Sequence, residues 1–256
     1  MAIKQDFLLG TKVGVFSIQV VKCHSSNFRT KLTNRSIEYA VIHYTGNTKD
    51  TAINNCKYYE GKDRQASAHF FVDENSIYQS VSLKNVAWHC GSSQGYKGAC
   101  TNDNSIGIEM CCSGNYMVSA KTQDNTIQLL LYIWEQQGWG INDVEKRLWR
   151  HYDCVKSNKK CPAQFVNNPA EWENFKNKLI NALKKKEKAQ KVNLQQYGSF
   201  FENIDRLAYI PMSDPKGETV TAAAGTAEWN GRRPDAICNA ELFNMTTYAP
   251  SSGVIS

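Results

Sequence analysis

No apolar run in this 256-residue sequence approaches the roughly 20 residues that a membrane-spanning helix needs. The short patch Phe7-Leu8-Leu9 near the start is too brief for the core of a secretory leader, so none is expected. There is no basic stripe interleaved with aromatics, which argues against a nucleic-acid footprint. The net charge of +6 is largely local: residues 184–191 carry five lysines and one glutamate. That run reads as a solvated linker or helix end, and mild basicity elsewhere suits an anionic partner. No internal repeat is present, and the cysteines do not form an even, framework-like set. There are nine: Cys23, Cys56, Cys90, Cys100, Cys111, Cys112, Cys154, Cys161 and Cys238. An odd, scattered set in a chain of this size fits reduced thiols better than a disulfide scaffold. Disorder is equally disfavoured, since 41% hydrophobic and 11% aromatic residues suffice for a core.

What is there alternates between strand and helix patterns. Residues 11–23 alternate weakly and predict a peripheral strand. Residues 36–43 predict a central strand, with Ala40 and Ile42 on one face and Val41 and His43 on the other. Asp50 is a good N-cap for a helix over 51–60. Residues 68–72 and 77–81 predict a hairpin about Asp73-Glu74-Asn75, and 105–112 a further strand. Residues 122–137 predict an amphipathic helix ended by Gly138, 148–151 a strand end, and 169–186 a second long helix. Strands interleaved with helices indicate an α/β fold with one central sheet. Composition shifts near residue 187. The expected domains are 1–183 as a catalytic unit, 184–192 as a lysine-rich linker or helix end, and 193–256 as a small C-terminal module.

The residues with chemical potential sit at strand ends and in loops. His43 ends the first central strand. Arg150-His151-Tyr152-Asp153-Cys154 and Lys159-Lys160-Cys161-Pro162 put an imidazole, a lysine and a thiol within a dozen residues. Two neutral imidazoles and a thiolate can hold a catalytic zinc, with a fourth position left to water. Between them lies Glu109, a carboxylate inside the apolar strand Ile106-Gly107-Ile108-Glu109-Met110. Metal, acid and lysine together describe a hydrolase acting on an amide. On spacing alone, two core histidines and an ordinary buried cysteine remain the alternative, because His-x9-Cys is not a short chelate loop.

Five motifs occur in order: Val41-Ile42-His43-Tyr44-Thr45-Gly46, Ser67-Ala68-His69-Phe70-Phe71-Val72-Asp73, Ala87-Trp88-His89-Cys90-Gly91, Ser105-Ile106-Gly107-Ile108-Glu109, and His151 with Lys159-x-Cys161-Pro162. Over residues 36–182 the chain resembles the zinc-dependent N-acetylmuramoyl-L-alanine amidases, whose catalytic domain is related to peptidoglycan recognition proteins. Phage endolysins and bacterial autolysins both use this domain. The resemblance implies a central mixed β-sheet flanked by helices. It implies one Zn2+ per chain held by His43, His151 and Cys161, with Glu109 as catalytic carboxylate and Lys159 stabilising an oxyanion. Some relatives carry a tyrosine just before the histidine of the hairpin strand. Here that position is Ala68, which leaves the acid–base role to Glu109. His69, Trp88 and His89 are candidate substrate contacts.

The expected activity is hydrolysis of the amide between N-acetylmuramic acid and L-alanine in bacterial peptidoglycan. Anionic wall polymers are a further expected partner; nucleic acid and membrane are not. The expected chain is made in the cytoplasm and acts at the cell wall. Residues 193–256 are expected to bind the wall or to mediate self-association. The main competing reading is a peptidoglycan-binding module that does not cut, but such a binder needs none of Glu109, Lys159 or Cys161. A Cys–His peptidase is a third reading, for which Cys154 is the nearest nucleophile but lacks a suitable setting.

Overall fold

The computed structural model describes residues 6–31, 35–91, 94–157 and 159–207, with two short strands at Met212–Ser213 and Thr219–Val220. The chain divides into two compact units, residues 1–188 and 189–256. In the first, six strands form one sheet: β1 (Gln19–Val20), β2 (Tyr39–Tyr44), β3 (Phe70–Val72), β4 (Ile77–Gln79), β5 (Ser105–Met110) and β6 (Leu148–Arg150). Their order across the sheet is β6-β2-β5-β3-β4-β1. The β3–β4 hairpin is antiparallel and every other pairing is parallel, so the sheet is mixed.

The central strands β2 and β5 carry Val41, Ile42, Ile106 and Ile108 at their middles and are almost wholly buried, as parallel strands usually are. Ala40, Ile42, Ile106, Ile108, Met110, Phe70 and Val72 share one buried cluster with Leu129, Leu130, Ile133 and Trp134 of α2 (Ala120–Gln137). Phe175, Leu179 and Leu183 of a long C-terminal helix complete that layer. Burial of each such side chain contributes about 1.5–3 kcal/mol. On the opposite face, α1 (Ala52–Glu60) packs Ala52 and Cys56 against Phe71, Tyr78 and Cys111. It covers only part of that face, and the cleft described below lies beside it.

Several boundaries differ from those read in the sequence. α2 begins at Ala120 because the Ser119 hydroxyl accepts the Thr122 amide at 3.2 Å and caps the helix early. Its end is as expected: Gly138 adopts φ 67°, a left-handed C-cap that glycine takes without a steric penalty. The cap of α1 is Thr51 rather than Asp50. The Asp50 carboxylate instead accepts from Thr45, Asn47, Asn55 and the Cys112 amide at 2.7–3.0 Å. Residues 11–23 form three two-residue strands, of which only Gln19–Val20 joins the main sheet.

Among the short helices that precede the long one are α3 (His151–Cys154) and α4 (Ala163–Asn167); the long helix, α5, runs through Pro169–Leu207. The lysine-rich segment 184–192 is therefore helical. Lys, Glu, Gln and Ala are all good helix formers, and no glycine or proline interrupts them. Beyond that helix and the strands at Met212–Ser213 and Thr219–Val220, the expected C-terminal module lies outside the described residues. No helix among the described residues is long and apolar enough to cross a membrane.

Candidate active site

The parallel pairing of β2 with β5 sets His43 directly opposite Glu109. Cross-strand partners point to the same side of a sheet, so the imidazole and the carboxylate emerge together on the face that α1 only partly covers. The third element is β6, which pairs Arg150 with Ile42 and delivers the chain to α3, whose first residue is His151. Arg150 pins this entry: its guanidinium donates twice to Asp153 at 2.8 Å and once to the Phe165 carbonyl at 2.9 Å. The Tyr152 amide donates to the Cys161 carbonyl at 2.9 Å, so the segments carrying His151 and Cys161 are tied by their backbones.

His43, His151 and Cys161 each present a donor atom, and the three atoms lie within 4.8 Å of one another. His43 Nδ1 is 3.8 Å from Cys161 Sγ and 3.8 Å from Glu109 Oε1. Tetrahedral zinc with one imidazole and one thiolate separates those donor atoms by about 3.5 Å, so the spacing needs only a small contraction. Both ring nitrogens of His151 are buried without a hydrogen-bond partner, as is Glu109 Oε2. Leaving such groups unpaired costs about 1–3 kcal/mol each. A cation between the rings would satisfy one of the two His151 nitrogens, and the donor set of two imidazoles and one sulfur suits zinc.

Burial dominates the electrostatics. Desolvation, with His151 and His89 adding to it, holds the His43 pKa well below the ordinary imidazole value. Desolvation and then the Lys159 charge lower His151 to about 4. Both rings are therefore neutral at pH 7, the form that donates a lone pair. Burial, then the Glu109 charge, pushes the Cys161 thiol up. Without a metal the site thus holds a thiol rather than a thiolate. Glu109 is raised to about 7, mainly by desolvation; Lys159 opposes the shift and Asp50 adds to it.

A carboxyl whose folded-state pKa lies above its unfolded value loses stability as pH rises between the two. For Glu109 that window runs from about 4.5 to about 7. In metal-free protein, Glu109→Gln should therefore gain on the wild type as pH rises from 5 to 8. The gain should reach at most roughly 3 kcal/mol at 1.36 kcal/mol per pKa unit. Urea unfolding at the two pH values measures it, and a difference independent of pH would contradict a desolvated Glu109.

A cleft of about 450 Å³ opens beside Glu109, walled by Thr45, Asn47, Asp50, Asn54 and Tyr58. Its lining is mostly neutral and polar, suited to a chain of amides and hydroxyls. Lys159 is exposed, and its charge acts on Glu109, His43, His151 and Cys161, so it lies within electrostatic reach of the group. Trp88 is half-buried.

His69 does not reach the cleft. It is fully buried, accepts the Gly107 amide on Nδ1 at 3.0 Å and lies against the buried guanidinium of Arg35. A substrate contact at His69 is therefore corrected to a structural role. His89 is also buried. Rather than facing out of its loop, it lies over Gly107, with Nδ1 3.0 Å from His43 Nε2. A Cβ at position 107 would fall 2.4 Å from the His89 ring. Gly107→Ala should accordingly displace His89 and cost about 1–3 kcal/mol, the usual range for overpacking, read as a lowered midpoint in urea.

The family model for N-acetylmuramoyl-L-alanine amidase matches residues 33–164. The chain is 28% identical over 168 residues to N-acetylmuramoyl-L-alanine amidase CwlL of Bacillus licheniformis, covering 60% of this chain and 44% of that protein. It is 32% identical over 142 residues to N-acetylmuramoyl-L-alanine amidase XlyB of Bacillus subtilis (strain 168), covering 55% of this chain and 41% of the other. It thus spans under half the length of these curated relatives. Among solved structures, a mutant endolysin from Bacillus subtilis superposes with a TM-score of 0.53 at 26% identity, over 64% of this chain and 99% of that one. The catalytic domain of XlyA gives 0.51 at 26% identity, with the same coverage.

Proposed function

This chain belongs to the N-acetylmuramoyl-L-alanine amidase family, and on that premise we propose that it hydrolyses the amide between N-acetylmuramic acid and L-alanine in bacterial peptidoglycan with the help of one zinc ion. The observation that carries the proposal is the convergence of His43, His151 and Cys161 next to a protonatable Glu109 at the end of a polar cleft. His43 Nδ1, one His151 ring nitrogen and Cys161 Sγ would hold the ion. When bound, zinc supplies Lewis-acid polarisation of the scissile carbonyl and of water.

The protein's own groups do the rest. Glu109, whose Oε1 lies 3.8 Å from His43 Nδ1, is placed to take a proton from the attacking water and return it to the departing alanine nitrogen. Glu109 also lines the cleft, so the carboxyl adjoins the space a substrate would fill. Lys159 offsets the negative charge that develops on the carbonyl oxygen. The cleft beside Glu109 would hold the substrate in register through amide and hydroxyl contacts from Asn47, Asn54 and Tyr58. The C-terminal segment 193–256 would add wall affinity or self-association, and anionic wall polymers would be drawn by the chain's positive balance.

A chelator separates this chemistry from a thiol mechanism. Dialysis against a zinc chelator should abolish lysis of purified walls, and stoichiometric zinc should restore it. Lysis that survives complete metal removal would contradict the proposal.

A further inference from the structure

The ligand atom that His43 can offer depends on which of its nitrogens carries hydrogen, and a chain of polar groups behind it settles that. The chain ends at the Thr101 carbonyl, which can only accept. The Ser105 hydroxyl lies against that oxygen and donates its single proton there. Ser105 Oγ is also 3.1 Å from His89 Nε2, and with its proton committed it must accept from that nitrogen. His89 therefore carries hydrogen on Nε2 and a lone pair on Nδ1. That lone pair faces His43 Nε2 at 3.0 Å, so His43 must donate from Nε2. His43 Nδ1 is then bare, and it is the nitrogen 3.8 Å from Cys161 Sγ.

We propose that His89 is a positioning residue: it fixes His43 in the tautomer with hydrogen on Nε2, so that Nδ1 is held free for metal beside Cys161 and His151. The inference rests on the zinc amidase reading and deepens it. The setting is rigid enough for the task. The His89 and Cys90 amides both donate to Asn102 Oδ1, at 3.0 and 2.8 Å. Gly107 supplies the floor on which the ring lies, since any side chain there would overlap it. His89 and Ser105 are both buried, so bulk water does not compete for either link. Partners of this kind orient a ligating imidazole and raise its basicity, and their loss costs about 10–100-fold in metal affinity or activity.

Long-range 15N–1H correlation spectra of the metal-free full-length protein at pH 8 read the tautomer directly. The expected result is a protonated Nε2 and an unprotonated Nδ1 on His43; the opposite assignment overturns the proposal. Zinc affinity, measured by competition with a chromophoric chelator, gives a second readout. His89→Ala and Ser105→Ala should each weaken zinc binding about 10–100-fold. His89→Gln should stay within a few-fold of wild type, because its amide can accept from His43 and donate to Ser105. Wild-type affinity in His89→Ala would overturn the role. If the variants fail to fold, the wild-type spectrum still decides. Neither readout uses substrate, so a failure of the amidase reading, seen as walls left uncut, is told apart from a failure of this one, seen in the tautomer and the zinc affinity.

Discussion

Glu109→Ala should lower the rate of wall hydrolysis by about two to four orders of magnitude, the usual contribution of a positioned general acid–base, while zinc content stays near one per chain. The split between rate and metal is what identifies the role. Glu109 sits opposite His43 in the sheet, with Oε1 3.8 Å from His43 Nδ1, yet it is not one of the three converging ligand atoms. Removing it leaves the two imidazoles and the thiol in place. It also removes the only carboxylate in direct contact with the ligand set among the described residues. Turnover within a few-fold of wild type would refute the assigned role, and loss of zinc would recast Glu109 as a ligand. A change in substrate affinity alone would instead make it part of the cleft wall. Zinc analysis alongside single-concentration and saturating rates separates these cases.

Cys161→Ser should lose zinc and activity together. The serine hydroxyl is smaller, harder and far less acidic than the thiol, so it replaces a deprotonated sulfur with a neutral oxygen. The site without Cys161 keeps only two neutral imidazoles, too few to hold zinc against water at micromolar protein. Even in the wild type, binding must displace the Cys161 proton against a raised thiol pKa. Zinc affinity should therefore increase with pH across the neutral range, with about one proton released per ion. Retention of stoichiometric zinc by Cys161→Ser, measured after gel filtration, would remove Cys161 from the ligand set.

Much of the site could be read from local pattern. Alternation along β2 puts His43 opposite in sense to Ala40 and Ile42, and alternation along β5 does the same for Glu109 against Ile106 and Ile108. The structure bears out both faces. One central sheet with helices packed on it also follows from the order of strand and helix patterns, whereas its mixed character is implied only by the family resemblance. What one strand's pattern cannot reveal is which residue of another it meets. The pairing of position 43 with 109 depends on β5 inserting between β2 and β3, a long-range choice.

The misread histidines share a cause. His69 lies one residue before β3, where only the neighbouring strand and the buried Arg35 reveal that its ring is spent on structure. His89 sits in a loop, which has no periodicity from which to infer direction, and it turns inward because Gly107 leaves room beneath it. Gly107 inside a strand was the available signal, since an interior glycine there often marks a close approach by another group. Asp50 matched the pattern of a helix cap, but Thr51 took that position and freed the carboxylate to brace the cleft. Helix α5 ran past its expected end because nothing in 184–191 breaks a helix.

End-group analysis of purified walls treated with the zinc-loaded protein tests the central claim most directly. New N-terminal alanine should appear in step with the fall in turbidity, and Glu109→Ala should release it at least about a hundredfold more slowly. New reducing sugar ends without new N-terminal alanine would mean that the protein cuts a glycosidic bond instead, and would contradict the amidase assignment.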